Sequence, residues 1–82
     1  MKITKVEILK IKTTNRVKGL ATITIDECFV VHNIKILEGE KELFIAMPSK
    51  RTENGEIKDI AHPINAETRK MIQDKILEEY NK

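Results

Sequence analysis

Aromatic residues and cysteine are scarce in this sequence. It contains two phenylalanines, one tyrosine, no tryptophan and one cysteine among 82 residues. The single cysteine, Cys28, cannot form an internal disulfide, and such a chain fits a reducing compartment. Phe29 and Phe44 fall in predicted strands and Tyr80 in a predicted helix, away from the basic residues considered below. An aromatic platform for stacking bases is therefore not expected.

Long apolar runs are also missing. No stretch approaches the roughly 18 to 20 apolar residues that cross a membrane. The segment Met1–Lys5 leads into no signal-peptide apolar core. The hydrophobic share of 40% and the charged share of 34% are those of a soluble globular protein. We therefore expect a cytoplasmic protein with no membrane partner.

Catalytic and metal-binding motifs are absent as well. The histidines and the cysteine show no metal-ligand spacing, and the sequence has no nucleophile elbow and no glycine-rich phosphate loop. His32 lies in a predicted strand on an apolar face, which favours a core or interface histidine over a catalytic one. We predict a non-enzymatic protein with no catalytic residue, no metal, no cofactor and no small-molecule substrate.

The length predicts one domain spanning residues 1–82. A chain this short buries only about 60 to 65 per cent of the surface that its unfolded form exposes. Its core is therefore expected to be thin, and association with a second copy would stabilise it.

The net charge of +2 hides an uneven distribution. Residues 1–20 hold six basic side chains against one acidic, residues 21–49 hold two against five, and residues 50–82 hold seven of each. A basic face is compatible with this distribution, although the total charge alone does not indicate a nucleic-acid-binding protein.

Alternating apolar residues predict an antiparallel sheet. Residues 2–12 and 20–25 alternate as strands do, with a polar turn at residues 13–16 between them. Residues 29–37 form a third predicted strand, and residues 43–47 are apolar throughout, as in a strand covered on both sides. Short links between the four strands predict a meander. One face of the third strand is expected to be buried, and it carries Val30, His32, Ile34 and Ile36.

Residues 49–60 are expected to form a protruding β-ribbon. Pro48 cannot donate a hydrogen bond to a sheet and ends the fourth strand. Asn54-Gly55 is a strong signal for a hairpin with a two-residue turn. That turn predicts a register in which the facing pairs are Glu53 with Glu56, Thr52 with Ile57, Arg51 with Lys58, and Lys50 with Asp59.

The C-terminal segment is expected to be a helix over about residues 66–80. Asn65 follows an extended segment at residues 62–64 and is a good N-cap. The apolar stripe of this helix consists of Met71, Ile72, Ile76, Leu77 and Tyr80. The predicted fold class is therefore α+β, a curled antiparallel β-sheet of four to five strands plus a protruding β-hairpin within about residues 2–60, with one C-terminal α-helix.

The exposed ribbon is the candidate nucleic-acid-binding site. In the predicted register Arg51 and Lys58 face each other, a like-charge pair that a polyanion would neutralise. The alternative is that Glu53 and Glu56 neutralise both and leave an ordinary solvated hairpin, and spacing alone does not decide between them. The candidate residues all donate hydrogen bonds to phosphate, and they are Ser49, Lys50, Arg51, Thr52 and Lys58.

The sequence closely resembles one known family. Its most specific segments are Leu43–Thr52, which reads LFIAMPSKRT, and Asp59–Asn65, which reads DIAHPIN. Gly55-Glu56, Phe29–His32 and Ile23–Asp26 also match, so the likeness covers nearly all of the chain. On these residues the chain resembles the SpoVG family, named for stage V sporulation protein G.

The resemblance implies a bacterial cytoplasmic regulator that affects asymmetric septation during sporulation. It implies a homodimer, built through its strands, whose positively charged ribbon binds DNA at selected sites and, in some members, RNA. Lys50 and Arg51 match the family's binding pair, and Lys58 matches a position that is usually basic.

Three features depart from the family pattern. The family usually has Pro-Asp-Gly where this chain has Glu53-Asn54-Gly55, and the extra carboxylate beside Arg51 opposes phosphate binding. The usual early aspartate-glycine turn with an arginine is replaced by Asn15–Gly19. Many members carry a variable, often acidic tail beyond the helix, and this sequence ends at Lys82.

Two other functions compete with nucleic-acid binding. The ribbon could be a charged docking surface for proteins of the septation machinery, without physiological nucleic-acid binding. A small enzyme that uses His62 with Asp59 ranks far below, because no nucleophile or substrate pocket is marked nearby. A hydrogen-bonding role for His62 at the joint between ribbon and helix is favoured instead.

Overall fold

A computed structural model of the protein describes residues 1–12 and 15–82. Strands β1–β4 form one antiparallel sheet in the order β1-β2-β3-β4, and β5 and β6 form a separate two-stranded sheet. The predicted α+β class is therefore confirmed, whereas residues 13 and 14 of the predicted first turn lie outside the described residues. No helix in the described ranges is long and apolar enough to cross a membrane. The elements are β1 (Ile3–Lys10), β2 (Val17–Ile25), β3 (Phe29–Glu38), β4 (Leu43–Ala46), β5 (Ser49–Arg51), β6 (Ile57–Asp59) and α1 (Ala66–Tyr80).

A bulge in β3 changes the alternation of its side chains. Ala21 of β2 pairs with Ile34, but Ile23 pairs with Val31, so β3 contains one more residue than β2 over this stretch. Asn33 has a left-handed φ of 62° within the bulge. Asparagine adopts this conformation more readily than most residues, because its short polar side chain can hydrogen-bond locally.

Because of the bulge, the prediction that four β3 residues share one buried face is wrong. Ile34 and Ile36 are buried as expected, but Val30 and His32 are exposed. The extra residue interrupts the alternation of side chains along β3. Val30 and His32 therefore lie on the face of the sheet that is turned away from the helix. His32 is therefore not a core residue, and its Nδ1 lies 3.5 Å from Oγ1 of Thr22 on the same outer face.

Helix α1 covers one face of the sheet and completes the core. Asn65 caps it as predicted, since its Oδ1 accepts a hydrogen bond from the Thr68 N–H at 2.7 Å. Leu77 and Tyr80 of the predicted stripe pack against the core from the last turns of the helix. The core is thin, as expected for this length, and its buried side chains are Ala21, Ile23, Ile34, Ile36, Ile45, Met47, Ile72 and Ile76.

The helix also closes the outer edge of β4. The Ile45 N–H donates to Oε1 of Gln73 at 3.3 Å, and the Ile45 carbonyl accepts from Nη2 of Arg69 at 3.3 Å. Unpaired backbone groups on an edge strand are a template for pairing with another chain. In this protein the middle of β4 is unavailable for such pairing, because two helix side chains occupy its outward groups.

Candidate nucleic-acid interface

The ribbon formed by β5 and β6 begins directly after β4. Pro48 separates the two strands, and its carbonyl accepts the Ile60 N–H at 2.7 Å, which closes the base of the ribbon. Every residue of β5 and β6 is exposed. The ribbon therefore presents both of its faces to solvent.

The tip of the ribbon is a three-residue loop, Glu53-Asn54-Gly55. The Thr52 carbonyl accepts the Gly55 N–H at 3.0 Å, and the Thr52 N–H donates to the Glu56 carbonyl at 2.7 Å. Gly55 has a left-handed φ of 81°, as the last residue of such a loop usually has. The Thr52 side chain adds a bond, since Oγ1 accepts the Glu56 N–H at 3.2 Å.

The predicted register of the ribbon is wrong by one residue. The loop holds three residues instead of two, because Gly55 takes the third position of the longer loop. Lys58 therefore lies opposite Lys50, whereas it was expected to face Arg51. The observed facing pairs are Ser49 with Asp59, Lys50 with Lys58, and Arg51 with Ile57.

The observed register distributes the cations over two faces. Lys50 and Lys58 share one face, and the Glu56 carboxylate lies 4.0 Å from Nζ of Lys58. Arg51 lies on the other face, opposite Ile57. Among the described residues, no carboxylate lies within 4.0 Å of the Lys50 ammonium or the Arg51 guanidinium. Both groups can therefore meet an external anion without first breaking an ion pair within the described chain.

The two hydroxyls of the predicted site differ in their surroundings. Ser49 is exposed at the base of the ribbon, on the same face as Arg51. Thr52 is half-buried at the tip, where its hydroxyl oxygen is used within the loop. Because a hydroxyl both accepts and donates, Thr52 can still donate its hydrogen to a phosphate.

Ile57 was not among the predicted site residues, yet the ribbon presents it. Its side chain is 68% exposed beside Arg51. The sequence contained a signal for this position, because Ile57 is an apolar residue between two charged residues, Glu56 and Lys58, in a short predicted ribbon. The face of Arg51 is therefore amphipathic, with a guanidinium next to an aliphatic side chain.

The positive charge of the ribbon is local. Residues 49–59 contain three basic and three acidic side chains, so the ribbon as a whole is neutral. On one face Lys50 and Lys58 outnumber Glu56, while on the other Arg51 is matched by Asp59 at the far end of the strand pair. The face with two lysines is therefore the better site for a phosphate chain.

The histidine after the ribbon has a structural contact. Nδ1 of His62 lies 3.0 Å from the Pro63 carbonyl, and a hydrogen bond there requires the proton on Nδ1, because a carbonyl only accepts. Within residues 1–12 and 15–82, no hydrogen bond or ion pair joins Asp59 to His62, and no group of three or more histidine, cysteine or acidic side chains is placed to hold a metal ion.

Comparison with known proteins assigns the family. The SpoVG family model matches residues 1–82. The protein named "Putative septation protein SpoVG" in Caldicellulosiruptor bescii is 56% identical over 80 residues, which are 98% of this chain and 91% of that protein. Proteins of the same name from Staphylococcus saprophyticus and Staphylococcus aureus are 55% and 52% identical, over 98% and 99% of this chain and 79% and 81% of their own length. The chain therefore belongs to the SpoVG family.

Proposed function

We propose that this protein is a nucleic-acid-binding regulator that acts as a homodimer and binds DNA at selected sites through the ribbon of β5 and β6. RNA is proposed as a second ligand, because it also has a sugar-phosphate backbone. The observation that carries the proposal is the exposed pair of Lys50 and Lys58, with Arg51 beside it on the opposite face. The relatives' shared name, which refers to septation, supports a role in septation and sporulation, and we propose that the protein acts there by affecting gene expression.

The lysine face suits a phosphate chain. Directly opposed residues of an antiparallel pair have Cβ atoms about 4.5 to 5.5 Å apart, so the side chains of Lys50 and Lys58 extend from neighbouring points on one face and their ammonium groups repel each other. An anionic phosphate between Lys50 and Lys58 removes the repulsion and gains two charge-assisted hydrogen bonds. The binding energy is therefore expected to come mainly from phosphate contacts.

The opposite face suits contacts within a groove. A two-stranded ribbon fits the major groove of B-DNA. Arginine is the residue that most often reads guanine there, because its planar fork matches two acceptors on the base edge. Arg51 provides that fork, and Ile57 beside it provides an apolar contact for a thymine methyl group or a sugar. Site selection is therefore assigned to the face of Arg51 and affinity to the face of Lys50.

Salt dependence gives a quantitative form to the proposal. Two lysines in each of two ribbons, all on phosphates, would give a slope of about −4 in a plot of log affinity against log salt for B-DNA. Replacing Lys50 and Arg51 in both copies leaves two contacts and a slope of about −2. A slope close to zero in the wild type would contradict phosphate-driven binding.

The test is a fluorescence anisotropy titration of labelled DNA and RNA duplexes and single strands with wild type and Lys50→Ala/Arg51→Ala. The matched control is Lys41→Ala/Lys75→Ala, which removes the same charge from two exposed lysines outside the ribbon. The ribbon variant should lose most of its affinity while the control keeps it. Equal binding by all three proteins would remove the ribbon as the site.

The relatives' shared name favours a second candidate, a protein-interaction module of the septation machinery. The equal numbers of acidic and basic side chains in residues 49–59 also suit a docking surface for a protein. Capture of partners from a nuclease-treated lysate discriminates the two functions. Complexes that survive digestion and are lost in Lys50→Ala/Arg51→Ala favour docking, whereas complexes that disappear with the nucleic acid favour the regulator.

A further inference from the structure

The two edges of the four-stranded sheet differ in their surroundings. At β4, the helix side chains of Arg69 and Gln73 occupy the backbone groups of Ile45. At the other edge, β1 runs for eight residues and pairs only with β2. No side chain within residues 1–12 and 15–82 forms a hydrogen bond to the backbone of residues 5–10. The side of β1 that faces away from β2 is therefore open to a further strand, and we call it the free edge.

The backbone groups at the free edge are those of Val6, Ile8 and Lys10. In an antiparallel pair, alternate residues exchange hydrogen bonds with the neighbouring strand, and the residues between them direct their N–H and C=O groups to the other side. The Ile11 N–H donates to the Lys18 carbonyl at 3.0 Å. The pairing continues from there along β1 without irregularity, up to the register shift near the start of the strand. The free edge therefore carries a row of donors and acceptors, which is a template for one more strand.

An added strand would also gain apolar contacts. Val6 and Ile8 are half-buried on the face of the sheet that carries α1, where they pack against the core. Tyr80 packs against the same core, and Nζ of Lys10 lies 4.9 Å from the centroid of its ring. Side chains that face each other across neighbouring strands contact one another. Apolar residues at the centre of an added strand would therefore cover the exposed sides of Val6 and Ile8.

Lysines lie at both ends of the free edge. Residues 1–12 contain four lysines and one acidic residue, Glu7, whose carboxylate lies 2.9 Å from Nζ of Lys5. In the part of the chain that the structure describes, no carboxylate lies within 4.0 Å of the other three ammonium groups. These belong to Lys2 before the strand and to Lys10 and Lys12 at its far end. The free edge is therefore basic at both ends and apolar at its centre.

We infer that the free edge of β1 binds an extended segment of another protein, one with apolar residues at its centre and aspartate or glutamate at its ends. The main chain of the segment pairs with Val6, Ile8 and Lys10 and extends the sheet by one strand. Its carboxylates pair with the lysines at the two ends. Because both ends are basic, a parallel and an antiparallel segment meet the same charges. The free edge shares no residue with the ribbon, so this inference goes beyond the proposed function and does not rest on it.

The charges favour an acidic partner over a second copy of the chain. When β1 of two copies pairs, a lysine-bearing end meets a lysine-bearing end in either orientation, and opposed like charges destabilise a strand pair. Lysines and bulges on an edge strand commonly prevent unwanted pairing. β1 has both, since its register shifts between Ile3 and Lys5. An acidic segment converts the repulsion into attraction, because its carboxylates meet the same lysines. The free edge is therefore unfavourable for its own copy and favourable for an acidic segment.

The test is a fluorescence anisotropy titration of the full chain with two labelled synthetic peptides of the length of β1. Both peptides alternate valine and threonine at the centre, and one has glutamates at both ends where the other has lysines. The glutamate peptide should bind, and salt should weaken its binding because exposed charge pairs are screened. The lysine peptide should bind about tenfold more weakly or less. Equal binding of the two peptides, or no binding of the glutamate peptide, would overturn the inference.

Lys10→Pro separates main-chain pairing from charge. The N–H that it removes faces the free edge, and proline is tolerated on an edge strand where the N–H faces solvent. The matched control is Lys10→Gln, which removes the same charge and keeps the N–H. Relative to this control, Lys10→Pro should raise the dissociation constant of the glutamate peptide about tenfold or more. Equal affinities of the two variants would show that the peptide does not pair with the main chain of β1, contrary to the inference.

Amide hydrogen exchange of the wild type requires no variant and covers the case in which Lys10→Pro does not fold. With the glutamate peptide bound, the amides of Val6, Ile8 and Lys10 should exchange more slowly. Those of Glu7 and Leu9 should change less, because they are directed to β2 in the free protein. Binding without this alternation would contradict the inference. The same alternation on raising the protein concentration without peptide would also contradict it, because a second copy would then occupy the free edge.

The proposed function and this inference fail separately. Lys10→Pro should keep the wild-type affinity for DNA, and Lys50→Ala/Arg51→Ala should keep the wild-type affinity for the glutamate peptide. A protein that binds the peptide at the free edge but binds neither DNA nor RNA contradicts only the proposed function. Loss of peptide binding in Lys50→Ala/Arg51→Ala would locate the acidic segment on the ribbon and would contradict only the inference.

Discussion

Lys50 lies directly opposite Lys58 on the ribbon of β5 and β6, so two ammonium groups face the same side of it. Like charges in this position destabilise a strand pair. Glu56 approaches only Lys58, at 4.0 Å, and both of these side chains are about two-thirds exposed. The ribbon therefore retains a repulsion that a bound anion would remove.

Replacement of Lys50 by glutamine should stabilise the ribbon and weaken its binding. The repulsion with Lys58 disappears, which is worth roughly a few tenths of a kcal/mol. The Thr52 amide, which donates to the Glu56 carbonyl at 2.7 Å, should therefore exchange about twofold more slowly in an NMR hydrogen-exchange experiment. Affinity for DNA should fall, because one phosphate contact per ribbon is lost.

The control for this variant is Lys41→Gln, which removes an exposed lysine outside the ribbon. It should change neither the exchange rate of the Thr52 amide nor the affinity. Faster exchange in Lys50→Gln would mean that Lys50 stabilises the free ribbon, and the opposed lysines would then not explain an affinity for anions.

Gly55 sets the shape of the ribbon tip, and alanine there should weaken binding without affecting the core. The φ of Gly55 is 81°, and an added Cβ would meet no atom within 4 Å. The cost is therefore conformational, about 1 kcal/mol. Thermal melting of Gly55→Ala should match wild type, whereas the Thr52 amide should exchange faster and DNA affinity should fall severalfold.

Gly55→Asn provides the matched comparison, because asparagine tolerates the left-handed region. Its ribbon should behave almost as in wild type. A Gly55→Asn protein as impaired as Gly55→Ala would point to an unidentified steric contact at the tip during binding, since backbone strain alone would then not account for the loss.

The fold class could be predicted from the sequence because its signals are local and repeated. Asn65 is a residue type that caps helices, and the apolar spacing after it leaves few alternatives to α1. Alternation over whole strands likewise predicts the meander. These signals identify each strand and helix even when a boundary is misplaced by one residue. They do not determine how the strands pair.

The register and facing of strands were harder to predict, because both depend on single residues. Glu53-Asn54-Gly55 fits a two-residue or a three-residue loop, and the choice moves Lys58 from Arg51 to Lys50. The one extra residue at Asn33 moves His32 from the buried face to the outer one. Such choices are decided by tertiary packing, which local alternation does not contain.

The bulge at Asn33 should be sensitive to backbone preference. Its φ is 62° and its side chain is exposed, so Asn33→Gly should leave stability nearly unchanged. Asn33→Ala should destabilise the protein by about 1 kcal/mol, because a Cβ disfavours the left-handed region. Urea denaturation measures the difference. Equal midpoints for the two variants would show that β3 can remove its bulge, with a new face for His32.

Helix side chains should be needed to close the edge of β4. The Ile45 N–H donates to Gln73, so Gln73→Ala leaves a partly buried donor without its partner, which costs about 1 to 3 kcal/mol. Lys75→Ala, at an exposed position of the same helix, should stay within about 0.5 kcal/mol of wild type. Urea denaturation at several protein concentrations checks both variants, because an unblocked β4 edge should also promote aggregation. An unchanged midpoint for Gln73→Ala would mean that water replaces the amide, and that Arg69 on the Ile45 carbonyl is sufficient to protect the edge.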